Sequence, residues 1–501
     1  MDEGWWLWEI VFVVWEKSCN FAWLNLLKME VIDKTKELET KGVGALLWSY
    51  ALPAVISQII ASVYNIVDRV FLGQWVGPLA IAGLAITLPI MNVIHAFGSL
   101  VGVGSASRMS IVLGRKDVKW AEKILGNSML LTLGFSTLVI TSAYIFLDKI
   151  LMMFGASADT IAYAREYMLY VLPGMFFMVM TFNLSGLIRA SGYPKKSMWI
   201  FVLGAVMNVG LDALFIYVFG WGIVGAAWAT TVSMGTTATI ALAHFVKPTS
   251  FIRFKRHGWT PKLYIFKNIL VIGMGPFLLN LASSGVVAIF NQQLLRYGGD
   301  MAVGAFSIVN TFGLLLNMAI LGSCQGMQPI AGYNYGAGHT DRFKRVLKLD
   351  MMVNILIGAT GAALCISFPR FFGSFFTNDV ALLDIVEEAM FYLLVMWGFI
   401  GFSITVSTFF QSIDKPWISI VTNLARQVIF LIPMLYIVPN LFVKFGGDGL
   451  TGVWATCTCS DTFGFLLALS FLLSQRRIFR TGYVLVPKRE RKEYGPNGEE
   501  V

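Results

Sequence analysis

The chain has 501 residues, 56% of them hydrophobic and only 13% charged, and its mean hydropathy is +0.69. A soluble domain carries roughly 25% charged residues, so there is too little polar surface here to cover a water-facing globule, and lipid must be the main solvent. The net charge of +9 does not mark a nucleic-acid binder, because the basic residues alternate between loops instead of forming one patch.

In chain order, residues 1–45 form an N-terminal leader. Trp5, Trp6, Trp8, Trp15 and Trp23 stud a stretch too short to span, interrupted by Glu9 and Glu16. It lacks the basic start and small-residue cleavage site of a secretory signal. Two readings stay open: an interfacial segment, or upstream sequence ahead of a true start at Met29. A spanning helix needs about 20 mostly apolar residues. Twelve such runs follow, at 46–72, 79–104, 122–147, 161–187, 197–219, 223–246, 266–293, 302–328, 346–370, 383–410, 417–441 and 449–474. Barrel strands would alternate polar and apolar residues, and these runs do not.

The second six runs repeat the first. Gly77-Pro-Leu-Ala-Ile-Ala-Gly-Leu-Ala85 aligns with Gly299-Asp-Met-Ala-Val-Gly-Ala-Phe-Ser307, and the same register carries Gly104 onto Gly326 and Gly114 onto Gly336. With one residue of slip, Pro53 meets Pro276 and Asp68 meets Asn291; downstream, Pro194 meets Pro416. The expected fold is therefore all-α and integral to the membrane, with twelve transmembrane helices in two homologous six-helix lobes, 46–246 and 266–474. A linker at 247–265 joins them and a basic tail at 475–501 follows. Six helices per repeat insert both lobes the same way up, related by an axis along the membrane normal, so substrate would pass between them.

Basic residues concentrate after the second, fourth, sixth, eighth and tenth helices. Arg108, Arg115 and Lys116; Arg189, Lys195 and Lys196; the Lys and Arg of 247–267; Arg342, Lys344 and Arg345; and Lys415 fall there. The opposite loops carry little beyond Lys149, Arg296, Arg370 and Lys444. This asymmetry predicts cytoplasmic termini in a multi-pass protein of the cell (inner) membrane. Cys324, Cys365, Cys457 and Cys459 lie in membrane runs and read as small apolar fillers, without metal-binding spacing.

An ionisable residue inside a membrane helix costs at least ~2.5–3.5 kcal/mol, so each needs a partner or a task. Asp68 closes Tyr64-Asn65-Ile66-Val67-Asp68 in the first helix; Asn208 and Asp212 are four apart in the fifth and so share a face. Counting from the helix ends puts both aspartates ~8–12 Å deep on the outer side, and Thr230 of the sixth helix reaches a similar depth. These oxygens suit a hard cation, and two close carboxylates can also share a proton. Pro53 breaks the backbone ladder of the first helix and would act as its hinge. In the second half no carboxylate is expected deep in helices seven to ten. Arg426 and Asp461 are the sole deep charges of helices eleven and twelve and are natural partners. His95, midway along helix two, reads as a neutral, hydrogen-bonded core residue. No catalytic triad, zinc spacing or phosphate loop is present, so an enzyme is not expected.

The chain resembles the MATE (multidrug and toxic compound extrusion) family. Three features carry this: the two six-helix halves; the string Gln325-Gly-Met-Gln-Pro-Ile-Ala-Gly-Tyr-Asn-Tyr-Gly-Ala337 at the exit of helix eight; and the Tyr64–Asp68 segment with Asn208, Asp212 and Thr230. The resemblance implies an antiporter that exports amphipathic, mostly cationic compounds, driven by H⁺ or Na⁺, with no organic cofactor. In the branch it most resembles, the cation site lies in the N-terminal lobe, which assigns that role to Asp68, Asn208, Asp212 and Thr230, with Tyr64, Asn65 and Asn291 as further candidates. Another branch uses carboxylates in helices seven and ten, which this sequence lacks. A monomer in contact with membrane lipids is expected. The alternative is a flippase for lipids or lipid-linked sugars, which would call for a basic cavity in the second half, where only Arg426 is deep.

Overall fold

The computed structural model describes residues 33–157 and 160–479. The leader before residue 33, with its two readings, and the tail beyond 479 lie outside the described residues. The first half comprises α1 (Val43–Trp75), α2 (Pro78–Gly114), α3 (Val118–Ile145), α4 (Ile161–Ala190), α5 (Pro194–Asp212, continued by a π-helical turn Ala213–Val218) and α6 (Gly222–Val246). A helical run Leu263–Gly336 follows, broken only at Gly299, whose φ of 65° and ψ of −162° are not helical. It is therefore two helices, α7 over 263–298 and α8 over 300–336. The second half continues with α9 (Thr340–Ser367), α10 (Val380–Ser412), α11 (Pro416–Lys444, with a π-helical turn at Ala425–Phe430) and α12 (Gly449–Ser474).

Among the described residues, ten helices are long and apolar enough to cross a membrane, the Leu263–Gly336 run counting as one of them. The helix that completes twelve is α6, which is rich in Gly, Ala, Ser and Thr; its 25 residues span about 37 Å. Helix starts follow local chemistry. Pro occupies the first turn of α2, α5 and α11, where its missing N–H costs nothing. The Asp117, Asp379 and Asp448 carboxylates cap α3, α10 and α12. Several helices outrun their apolar segments: α2 continues to Gly114 and α8 to Gly336. The string 325–336 thus forms the last turns of a helix and is not a loop beyond it.

Three buried apolar clusters organise the molecule. One is private to the first half, around Leu72, Leu84, Ile140, Tyr167, Ile216 and Ile223. Another is private to the second half, around Phe290, Ala305, Val386, Leu435 and Trp454. The third draws on both, with Met109, Leu187 and Phe245 packed together with Ile269, Met327, Phe343 and Phe409. These shared residues lie toward the helix ends that carry the basic connections. The lobes therefore share a core at the basic end, and each keeps its own at the other.

Glycine makes the shared end possible. A Cβ on Gly104 or Gly273 would strike the backbone of the facing helix, at Ile269 and Leu100 respectively; Gly114 faces the Tyr333 carbonyl and Gly336 the Ile111 carbonyl. Gly322 and Gly326 of α8 lie against the Val55 and Ala51 backbone of α1. Small residues allow such close helix approach in membranes. The repeated glycines of the sequence are thus the contacts across the lobe interface. The 325–336 string supplies much of the clasp: Gln328 donates to Ser107 across the interface (2.5 Å) and Asn334 donates to the Leu38 carbonyl (3.2 Å). Arg342 donates to the Leu38 and Lys41 carbonyls, so residues 38–41 are tied to the second half. The linker is docked as well. Glu122 of α3 pairs with Lys255 (3.1 Å) and His257 (3.2 Å), and Asn127 bonds the backbone of Gly258, Thr260 and Lys262.

Candidate functional site

Asp68 on α1, Asn208 and Asp212 on α5 and Thr230 on α6 are all buried, at 7%, 2%, 0% and 5% exposure. Asn208 donates to the Thr230 hydroxyl at 3.2 Å. Asp68 and Asp212 lie within electrostatic range of each other. Neither forms an ion pair among the described residues. Asp68 Oδ1, Asn208 Oδ1 and both carboxylate oxygens of Asp212 are buried without a hydrogen-bond partner. Buried polar atoms are nearly always paired, and an unneutralised carboxylate in low dielectric is costly. Four orphaned oxygens in one layer are therefore a set of acceptors that a proton or a small cation would satisfy. The donor set is all oxygen, which fits Na⁺ or a proton; among the described residues no group of three His, Cys, Asp or Glu could hold another metal. Asp212 is also the last α-helical residue before the π turn of α5, a local distortion frequent at functional sites.

Tyr167 of α4, 2% exposed, belongs to the same layer: it lies close to Thr230 and in electrostatic range of Asp68, Tyr64 and Asp212. Sequence reasoning missed it, because a tyrosine within an apolar run reads as core filler. Tyr64, Asn208 and Thr230 line a cavity in the first lobe, which Gln325 of α8 also borders. The Asn65 side chain lies outside the described residues. Helix α1 continues through Pro53, whose carbonyl accepts from Ser57 at 2.8 Å; the residues around it are the ones that Gly322 and Gly326 pin.

His95 differs from expectation. It lines the cavity, stacked edge-on to Phe182 at 5.3 Å, and makes no hydrogen bond among the described residues. Arg189, read from sequence as a loop cation that sets orientation, is instead the penultimate residue of α4 and lines the same cavity.

In the second half, Arg426 Nη1 meets Asp461 Oδ1 at 3.1 Å, with side-chain exposures of 23% and 10%. Arg426 sits in the π turn of α11, and its carbonyl accepts from Ser460. Asn291 stands apart from the first-lobe layer, on α7, with its Oδ1 unpaired. The expectation that helices seven to ten hold no deep carboxylate is corrected by Asp350. This residue is fully buried on α9, accepting from Ser323 (2.5 Å) and Asn354 (3.1 Å). It was missed because α9 starts at Thr340, six residues before its apolar run, so a position that looked peripheral lies about 15 Å along the helix. The repeat register gives its meaning. Asp350, Asn354 and Thr405 occupy the places of Ser128, Thr132 and Asn183 in the first lobe. There Asn183 donates to Ser128 and Thr132, as Asn354 donates to Thr405. One polar knot occurs twice, with a carboxylate in the second lobe only.

Two helical lobes joined at one end, with unneutralised carboxylates inside one of them, define a two-lobed membrane transporter. The MatE family model matches residues 53–214 and again 276–437, once in each half. The chain belongs to this family, the multidrug and toxic compound extrusion transporters. It is 26% identical over 418 residues to the multidrug export protein MepA of Staphylococcus aureus, covering 83% of this chain and 90% of that protein. To the protein of the same name from Staphylococcus saprophyticus it is 23% identical, over 84% and 91% of the two chains. Among solved structures, a MOP superfamily transporter from Pyrococcus furiosus superposes with a TM-score of 0.82 at 24% identity, covering 90% of this chain and 99% of that one. An outward-facing multidrug resistance MATE family transporter gives the same values. The fold is common to all of them.

Proposed function

We propose that the protein is a secondary antiporter of the plasma membrane, with both termini cytoplasmic, that exports amphipathic, mostly cationic compounds against an inward flow of H⁺ or Na⁺. The observation that carries this is the layer of orphaned oxygens on Asp68, Asn208 and Asp212 beside a cavity lined largely by apolar and neutral polar side chains. The relatives named as multidrug export proteins support the direction of transport and drugs as the cargo.

In this reading the basic end faces the cytoplasm, and the shared core closes it in the state described here. A cation entering from outside joins Asp68 and Asp212, with Asn208, Thr230 and Tyr167 completing the layer. Its binding repacks α1 against α5 beyond Pro53 and favours release of the exported compound. Coupling requires that cation and compound prefer different states, since a ligand indifferent to state shifts nothing. The flippase alternative loses support from the pairing of Arg426 with Asp461, since Arg426 was the deep cation that reading needed. The test is export from proteoliposomes under separately imposed proton and sodium gradients. One gradient should drive export and its collapse should stop it; export that ignores both overturns the reading.

A further inference from the structure

The first-lobe cavity reaches Asn208 and Thr230 of the aspartate layer at one end and Arg189 at the other, and the mechanism above uses only the first. Its walls follow single helix faces: Thr181, Ser185 and Arg189 on α4, and Phe201, Gly204 and Asn208 on α5. Such spacing marks one stripe on each helix. At 1.5 Å per residue these stripes run about 10–12 Å, from the Asn208 end beside the aspartates to the Arg189 end. Long helical side chains lean toward the helix N-terminus. For α4 that direction points away from the basic loop and into the membrane interior, so the Arg189 guanidinium faces the cavity instead of the loop.

The Arg189 guanidinium makes no hydrogen bond and no ion pair among the described residues. The other deep arginines do: Arg108 is held by Asp414 and Arg426 by Asp461. A guanidinium inside a membrane protein is expensive, and a lone one marks a binding site by default. Its planar fork matches an oxyanion bidentately. The apolar part of the wall, with Phe182, Phe201 and Met234, suits a flat hydrophobic body.

We propose that Arg189 is the anion-recognising residue of this cavity, and that among amphipathic compounds, cationic ones included, the protein favours those that also bear an acidic oxyanion, a carboxylate or phosphate. This rests on reading the cavity as the substrate path. Arg189 is the fixed charge among the described residues that line this cavity, and it is there for a substrate to meet before the coupling cation enters. A molecule with only positive charge gains nothing there, whereas an acid gains a charge-assisted bidentate pair.

The test uses the full-length protein in phosphatidylcholine nanodiscs, with 1-pyrenebutyric acid and its methyl ester as probes, binding read by fluorescence anisotropy against empty discs. Wild type should bind the acid about ten- to hundredfold more tightly than the ester. Arg189→Gln should remove that preference by weakening the acid and leaving the ester within about twofold; Arg189→Lys should keep part of it. Wild type that binds both probes equally overturns the proposal, even if Arg189→Gln fails to fold, and so does an Arg189→Gln variant that keeps the preference. Adding phosphatidylglycerol to the discs separates the sources of the oxyanion. Competition that depends on Arg189 assigns it to a lipid headgroup, and its absence assigns it to a soluble acid. Asp68→Asn should keep the acid preference. Full ion coupling in that variant would defeat the coupling reading and leave Arg189 recognition standing.

Discussion

Arg108 of the first lobe and Asp414 of the second form a 3.2 Å ion pair across the lobe interface, with the arginine side chain 2% exposed and the aspartate 31%. Asp414 sits in the left-handed region, at φ 61°, where asparagine is well tolerated, so Asp414→Asn removes the charge with little backbone cost. The buried guanidinium then loses its cross-lobe carboxylate. A loss of about 1–3 kcal/mol is expected, below that of a fully buried pair because Asp414 is partly solvated. Thermal unfolding should register it, and the basic end should open more often, seen as faster labelling of cysteines placed on α2 and α8. Unchanged stability and labelling would mean that the pair does not hold the lobes together.

The glycine contacts give a second lever on the same closure. In Gly336→Ala the new Cβ meets the Ile111 carbonyl. Overpacking of this kind costs about 1–3 kcal/mol. The lobes should separate at the basic end, measurable as a longer spin-label distance between α2 and α8. A variant with wild-type stability and distances would show that the interface has slack there.

These two predictions mark what the sequence could and could not convey. Gly104, Gly326, Gly114 and Gly336 were visible as a repeat, but that they touch across the interface follows only from how the lobes dock. Asp68, Asn208, Asp212 and Thr230 stood out because polar groups in apolar runs are costly, and topology fixed their depth. Tyr167 and Asp350 did not, the one because its ring hides its hydroxyl among core residues, the other because α9 begins before its apolar stretch. Arg189 was counted among the loop charges, since a residue at a helix end shows its direction only once the helix is built.

Asp350 separates the two lobes. If its knot is structural, as its neutral counterpart Ser128 suggests, Asp350→Asn should cost about 1 kcal/mol for the rearranged hydrogen bonds and leave ion-driven export intact. Loss of ion coupling at normal expression would move the cation site, or a second one, into the second lobe.

The Arg426–Asp461 pair is open to a charge-swap test. Asp461→Asn should lower thermal stability by about 2–4 kcal/mol, less than the most buried pairs because Arg426 retains some solvent. Exchanging the two residues should restore part of that loss. Equal stability in wild type and single variant would reject a structural role.

The most direct test of the central claim is gradient-driven export by Asp68→Asn and Asp212→Asn in proteoliposomes, at matched insertion. The two carboxylates lie on different helices in one buried layer, and neither forms an ion pair among the described residues. Each substitution should abolish ion-driven export and its dependence on external pH or Na⁺, while Thr230→Ala, which removes one neutral ligand, should cause a milder loss. Full ion-coupled export by both aspartate variants would contradict the account and place the coupling site elsewhere.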